Sequence, residues 1–283
     1  MSVEQQAQHD SDYESLEALF IALLRSLRTE NMELALYELA ERRTEIAFRY
    51  VTSGLKVDVD EAIQLLQNLD DNTLTQYQKD LRDRLSAAID NLIDFSVCEE
   101  YQLYEEVLEL IEDDDIDFDS DMYEDLLNLC RKYNDQYSAV ENTDIEYAGA
   151  MAAMWIRMSA KDYVVYWTQN DVKVRPWHMA LQGYVAPRDE FPSWMIPPIE
   201  YNCRCYLETL EVPYASADVR NIKGSATSLK KPEQISGVYD EALAKCGRIF
   251  SPAHSYFTIK DSDKEMLENL VNRLKTKYYA TEI

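Results

Sequence analysis

Apolar residues recur every three or four positions through the first half of the chain. Leu16, Leu19, Phe20, Leu23, Leu24 and Leu27 set one helical stripe, with Ser11 and Glu14 ahead of it as a capping box. Leu36, Leu39 and Ile46 set a second stripe over about residues 30–51, with Gly54 just past its end. Asp58 and Glu61 repeat the capping pattern before Ile63, Leu66 and Leu69. Tyr77, Leu81, Leu85, Ala88, Leu92 and Phe95 predict the inward face of a longer helix over about 73–98, and 101–111 reads as another. Helices are expected again over about 122–137 and 145–159. In the last, Tyr147, Met151, Met154, Trp155 and Met158 form a stripe of the kind that is ordinarily core. No proline precedes Pro176, and only Gly54 and Gly149 precede Gly183, so little interrupts these helices.

Past Ala160 the period changes. Tyr163 to Trp167 is β-branched and aromatic and predicts a short strand, and Tyr206 to Val212 predicts another. Between them Pro176, Pro187, Pro192, Pro197 and Pro198 cut the chain into turns and extended pieces, because proline fixes φ and lacks a donor. A polar loop over 216–232, a short helix over 238–246 and a capped helix over 261–279 complete the pattern. The fold class expected is α+β, mostly α. An acidic helical domain covers 1–145, a small α+β core with short strands covers 146–257, and a C-terminal helix lies in 258–283.

Charge sharpens that division. Residues 1–150 hold 37 Asp and Glu against 11 Lys and Arg, a net of −26. Residues 151–283 hold 16 against 17, a net of +1. An acidic half cannot release counterions from a phosphate backbone, so specific nucleic-acid binding is not expected of it. Within it, Asp113, Asp115, Asp117, Asp119, Asp121 and Glu124 fall at the ligand positions of a calcium loop. Phe118 stands where that loop needs glycine for its turn, which favours a solvated acidic loop or a partner surface. The five cysteines are odd in number and scattered, which suits a reducing compartment. The polar, acidic N-terminus does not read as a signal peptide. The apolar run over 148–156 falls far short of the roughly 20 residues that cross a bilayer, so no membrane segment is expected.

Candidate chemistry gathers in 167–210. His178, Cys203 and Cys205 are possible ligands of a soft tetrahedral metal such as zinc. The Cys-x-Cys spacing is tighter than usual and no fourth ligand is evident, His254 being the nearest spare. The plainer alternative has His178 bonded to a backbone carbonyl and the cysteines packed as small apolar groups. Arg175 and Arg204 are expected to hold Asp171 or Asp189 in buried pairs.

The same stretch resembles the core of the phage Mu F-like minor head proteins. The resemblance rests on an ordered series: Trp167 and Thr168, then Asp171, Val174, Arg175, Pro176 and His178, then Leu181 and Gly183, then Phe191, Pro197 and Pro198, and finally Asn202, Cys203, Arg204 and Cys205. Gln182 departs from it, since Asp or Asn is commoner before the glycine. The sequence FSPAHSYF over 250–257 is similar to a weaker downstream motif, so the resemblance spans about 146–257. It implies a head morphogenesis protein of a tailed bacteriophage, in the capsid interior of the virion and in the host cytoplasm during assembly. It implies a portal protein and other capsid or ejected proteins as partners, low copy number and, in some relatives, exit with the DNA. It assigns no catalytic residue. A metal-dependent enzyme or toxin-like effector built on Arg175, His178, Cys203 and Cys205 is the alternative, although no nucleophile motif or phosphate loop accompanies them. An acidic inhibitor that mimics DNA is a third reading, and would not need the core motif.

Overall fold

The computed structural model describes residues 3–27, 29–111, 116, 118–210, 231–233 and 235–280. Among them are eight α-helices and one small antiparallel sheet, an α+β fold that is mostly α as the sequence predicts. The helices before the sheet are α1 (Val3–Ser26), α2 (Met32–Leu55), α3 (Val59–Gln67), α4 (Gln76–Ile111), α5 (Asp121–Arg131) and α6 (Ser138–Arg157). Then come β1 (Tyr163–Trp167), α7 (Pro176–Met179), β2 (Val185–Pro187), β3 (Tyr206–Leu210) and α8 (Lys264–Tyr279). No helix among the described residues is long and apolar enough to cross a membrane.

Several expected boundaries are corrected. α1 begins at Val3, so Ser11 and Glu14 lie inside it rather than capping it. α4 runs unbroken for 36 residues through the gap expected at 98–101. Tyr77, expected inward, is 41% exposed. α5 and α6 are joined by a π-helical segment, Lys132–Tyr137. The helix expected over 238–246 is two 3-10 turns, Gly237–Tyr239 and Leu243–Lys245. β2 had no counterpart in the sequence pattern. The loop expected over 216–232 lies almost wholly outside the described residues, as do Asp113, Asp115 and Asp117 of the acidic run.

The chain divides into two compact units. The first comprises residues 1–50, 89–143 and 255–283. Its core holds Leu16, Phe20, Leu36, Leu39, Leu92 and Phe95, with a buried ionic cluster among them. Arg43 is fully buried; its Nε donates to Glu99 at 2.7 Å and its two terminal nitrogens to Glu141 at 2.9 Å and Asn142 at 2.8 Å. Burial pushes Glu99 and Glu141 upward and takes Glu100 to about 7. Burial works against the Arg43 charge, but the surrounding carboxylates outweigh it and hold the guanidinium charged.

The second unit comprises residues 51–88 and 144–254. There the end of α2 meets α6 at backbone distance. A Cβ on Gly149 would lie 2.6 Å from the Val51 carbonyl oxygen, and one on Gly54 would run into the carbonyl of Glu146. The sheet has the order β2-β1-β3, with Val165 opposite Val185 and Trp167 opposite Tyr206. Strand alternation puts Val165 and Val185 in one cluster with Tyr163, Trp167 and Leu210, and leaves Val164 and Tyr166 on the opposite face.

Candidate functional site

Backbone devices shape the site before any side chain enters it. Arg175 is extended and Pro176 opens the single turn α7, where a missing N–H costs nothing. That turn presents Trp177 and His178, whose rings meet edge to face at 4.3 Å. The chain returns through Leu181 and Gly183. Gly183 has φ 77°, the left-handed region that glycine enters freely, and its N–H donates to the Tyr166 carbonyl at 2.8 Å. Gln182 braces the return, its side-chain oxygen accepting from the Thr168 N–H at 2.8 Å and hydroxyl at 2.7 Å. Pro197 and Pro198 are buried and joined by a cis bond.

A tight turn follows. The Cys203 N–H donates to the Glu200 carbonyl at 3.1 Å, and Asn202 stands inside the turn at φ 56°. Asparagine tolerates that conformation better than most residues. Its N–H donates to both oxygens of buried Asp144 at 3.1 Å, and Asp144 also accepts from the Tyr239 hydroxyl at 2.8 Å. Beyond the turn the chain is extended into β3. Cys203, Cys205 and Leu207 therefore alternate onto one buried side while Arg204 and Glu208 face out. The close Cys-x-Cys spacing is the strand period, which brings both thiols to the same place.

That place is His178. Its Nδ1 lies 3.3 Å from the Cys205 sulfur and 3.9 Å from the Cys203 sulfur. The three donor atoms lie within 4.8 Å of one another and all three residues are buried, a set able to hold a metal ion. The other ring nitrogen, Nε2, is 2.9 Å from Glu200 Oε2. The same oxygen accepts from Trp177 Nε1 at 2.7 Å and pairs with Arg175 Nε at 3.3 Å. Arg175 also donates to the Tyr201 carbonyl at 2.8 Å. A carboxylate on Nε2 places the ring proton there and leaves the Nδ1 lone pair facing the sulfurs. A hydrogen bond between the thiols raises Cys203 and lowers Cys205. Tyr147 donates to the Cys205 carbonyl. The Tyr166 hydroxyl is buried beside the sulfurs and makes no well-formed hydrogen bond.

Two expectations about the site are corrected. Arg204 does hold Asp171, through two bonds of 2.8 and 2.7 Å, but the pair is exposed rather than buried. Its donors hold the Asp171 carboxyl down at about 2. Arg175 goes to Glu200, and Asp189 pairs with its neighbour Arg188. His254 is no fourth member of the cluster. Its ring packs against Tyr201 and Phe250, and burial holds it down at about 4. Trp167 turns its ring to the sheet cluster, with a buried Nε1 that finds no acceptor.

Glu200, Asp144 and Tyr166 are not among the residues that the sequence singles out. Glu200 had a usable signal, since a ligating histidine almost always donates its second N–H to a carboxylate or carbonyl. Gln182 was noticed only as a departure from the family pattern. Asp144 had none, being one acid among many in an acidic stretch.

Residues 117–208, 92 of 283, match the sequence model of the family described as "Phage Mu protein F like protein". The match begins earlier than the motif, taking in α5 and the π-helical segment, and it ends before the FSPAHSYF run. No curated protein and no solved structure matches the chain.

Proposed function

We propose that this chain is a minor head protein of a tailed bacteriophage, acting in capsid morphogenesis inside the capsid and in association with the portal. The observation that carries this reading is the match to the Mu F-like family over 117–208. The motif residues within that match do structural work. Arg175, Pro176, Gly183, Asn202, Arg204 and the cysteines serve a turn, a brace or the buried cluster, which suits a rigid docking platform. The net charge of −26 over 1–150 supplies an acidic surface that adheres poorly to packaged DNA and suits a basic partner face. Like-charge repulsion acts only within about 8 Å at physiological salt, so this effect is local.

The test is co-expression of the untagged chain with the portal protein of the same phage. Co-purification that weakens as salt rises is the expected result, together with no retention on DNA at low salt. Strong DNA binding, or a portal that never retains the chain at any salt, would overturn the reading.

A further inference from the structure

We infer that His178, Cys203 and Cys205 form a zinc site, with Glu200 as the residue that positions its histidine. The inference stands on the geometry of the cluster and not on the assignment to a phage head.

Three observations converge. The first is spacing. Tetrahedral zinc holds sulfur at about 2.3 Å and nitrogen at about 2.0–2.1 Å, so its ligand atoms sit roughly 3.5–3.8 Å apart. The observed separations of 3.3 and 3.9 Å between Nδ1 and the two sulfurs bracket that range. The second is the histidine's far side. A free imidazole needs no particular tautomer, whereas a ligand through Nδ1 must carry its proton on Nε2. Glu200 accepts there at 2.9 Å, and is itself fixed by Trp177 and Arg175. The third is the buried Tyr166 hydroxyl, which has the weak acceptor Cys205 sulfur beside it and no better partner. Buried hydroxyls ordinarily find a stronger acceptor than sulfur. A water in a metal's fourth position would give that hydroxyl a stronger partner.

Charge and softness select the ion. Two thiolates and a neutral imidazole around a divalent ion sum to zero, so the filled site can be buried without an uncompensated charge. Thiolate with imidazole favours zinc over calcium or magnesium, which take oxygen ligands. Binding exchanges the two thiol protons for one metal ion, and these protons leave to solvent. The site ties α7 to the entry of β3, two segments with little regular structure between them. Stabilisation of the local fold is the role this placement gives it.

The experiment uses the whole untagged chain, stripped with chelator under reducing conditions and then titrated with zinc or cobalt(II). The expected result is one metal per chain by elemental mass spectrometry, with a thiolate-to-cobalt absorption band. Zinc slows alkylation of Cys203 and Cys205 and leaves buried Cys98 and Cys130 unchanged, which needs no variant and so does not depend on one folding. Glu200→Gln keeps the stoichiometry but binds about 10–100-fold more weakly, and Glu200→Asp recovers part of the loss. No stoichiometric metal in the wild-type chain, or metal bound without protection of the two cysteines, would overturn the inference.

Discussion

A single buried side chain can decide whether the return from α7 holds. Thr168 is 3% exposed, and its N–H and hydroxyl both donate to Gln182 Oε1. Gln182→Leu keeps the bulk and removes the acceptor, leaving the Thr168 N–H without its partner and the hydroxyl with only the weak acceptor Met179 Sδ at 3.7 Å. A loss of about 1–3 kcal/mol in urea unfolding is expected, and an unchanged midpoint would contradict the assigned role. At this scale the sequence shows which residue types gather but not what each one touches. Arg175 and Arg204 read alike along the chain, yet one orders Glu200 and the other holds an exposed aspartate. Only the turn at Asn202, with its positive φ, brings Glu200 to the histidine.

At the scale of elements, the close approach of α2 and α6 makes a prediction whose sign is informative. In an ordinary helix interior Gly149→Ala would stabilise by roughly 1 kcal/mol through lower backbone entropy. Here the new methyl would sit 2.6 Å from the Val51 carbonyl oxygen, which must shift to admit it. Thermal unfolding should show a net loss, since overpacking of this kind typically costs about 1–3 kcal/mol. A gain in melting temperature would mean that the helices do not cross as described. The helical period was legible because amphipathic stripes repeat every three or four residues. The missed elements have physical reasons. Three residues, Val185–Pro187, are too few to show alternation. The false break in α4 came from Glu99 and Glu100, which look like solvent positions in the pattern but are fully buried around Arg43.

Those glutamates matter to the whole molecule through pH. Burial lifts Glu100 to about 7 from an ordinary 4.5. The folded chain keeps a proton that the unfolded chain gives up, so this contribution is full below pH 4.5 and fades as pH rises through about 7. His254 works in the opposite direction: held at about 4 instead of 6.5, it contributes stability above 6.5 that is lost as pH falls through 4. Comparison of Glu100→Gln with wild type isolates the first effect, because glutamine mimics the protonated acid. Between about pH 5 and pH 8 the variant should gain on wild type by on the order of 1–3 kcal/mol, and a pH-independent difference would contradict it. The acidic half and the proline-shaped motif were both visible in the sequence. What the acidic half meets was not, because charge specifies a kind of surface and no particular partner.

Procapsids and mature particles of the phage proposed to encode this chain, purified from infected or induced cells, would test the central claim most directly. Quantitative mass spectrometry would count the chain against the portal and major capsid proteins in each. The account predicts a few copies per procapsid, tracking the portal and not the capsid shell. Absence of the chain from both procapsids and mature particles would contradict it.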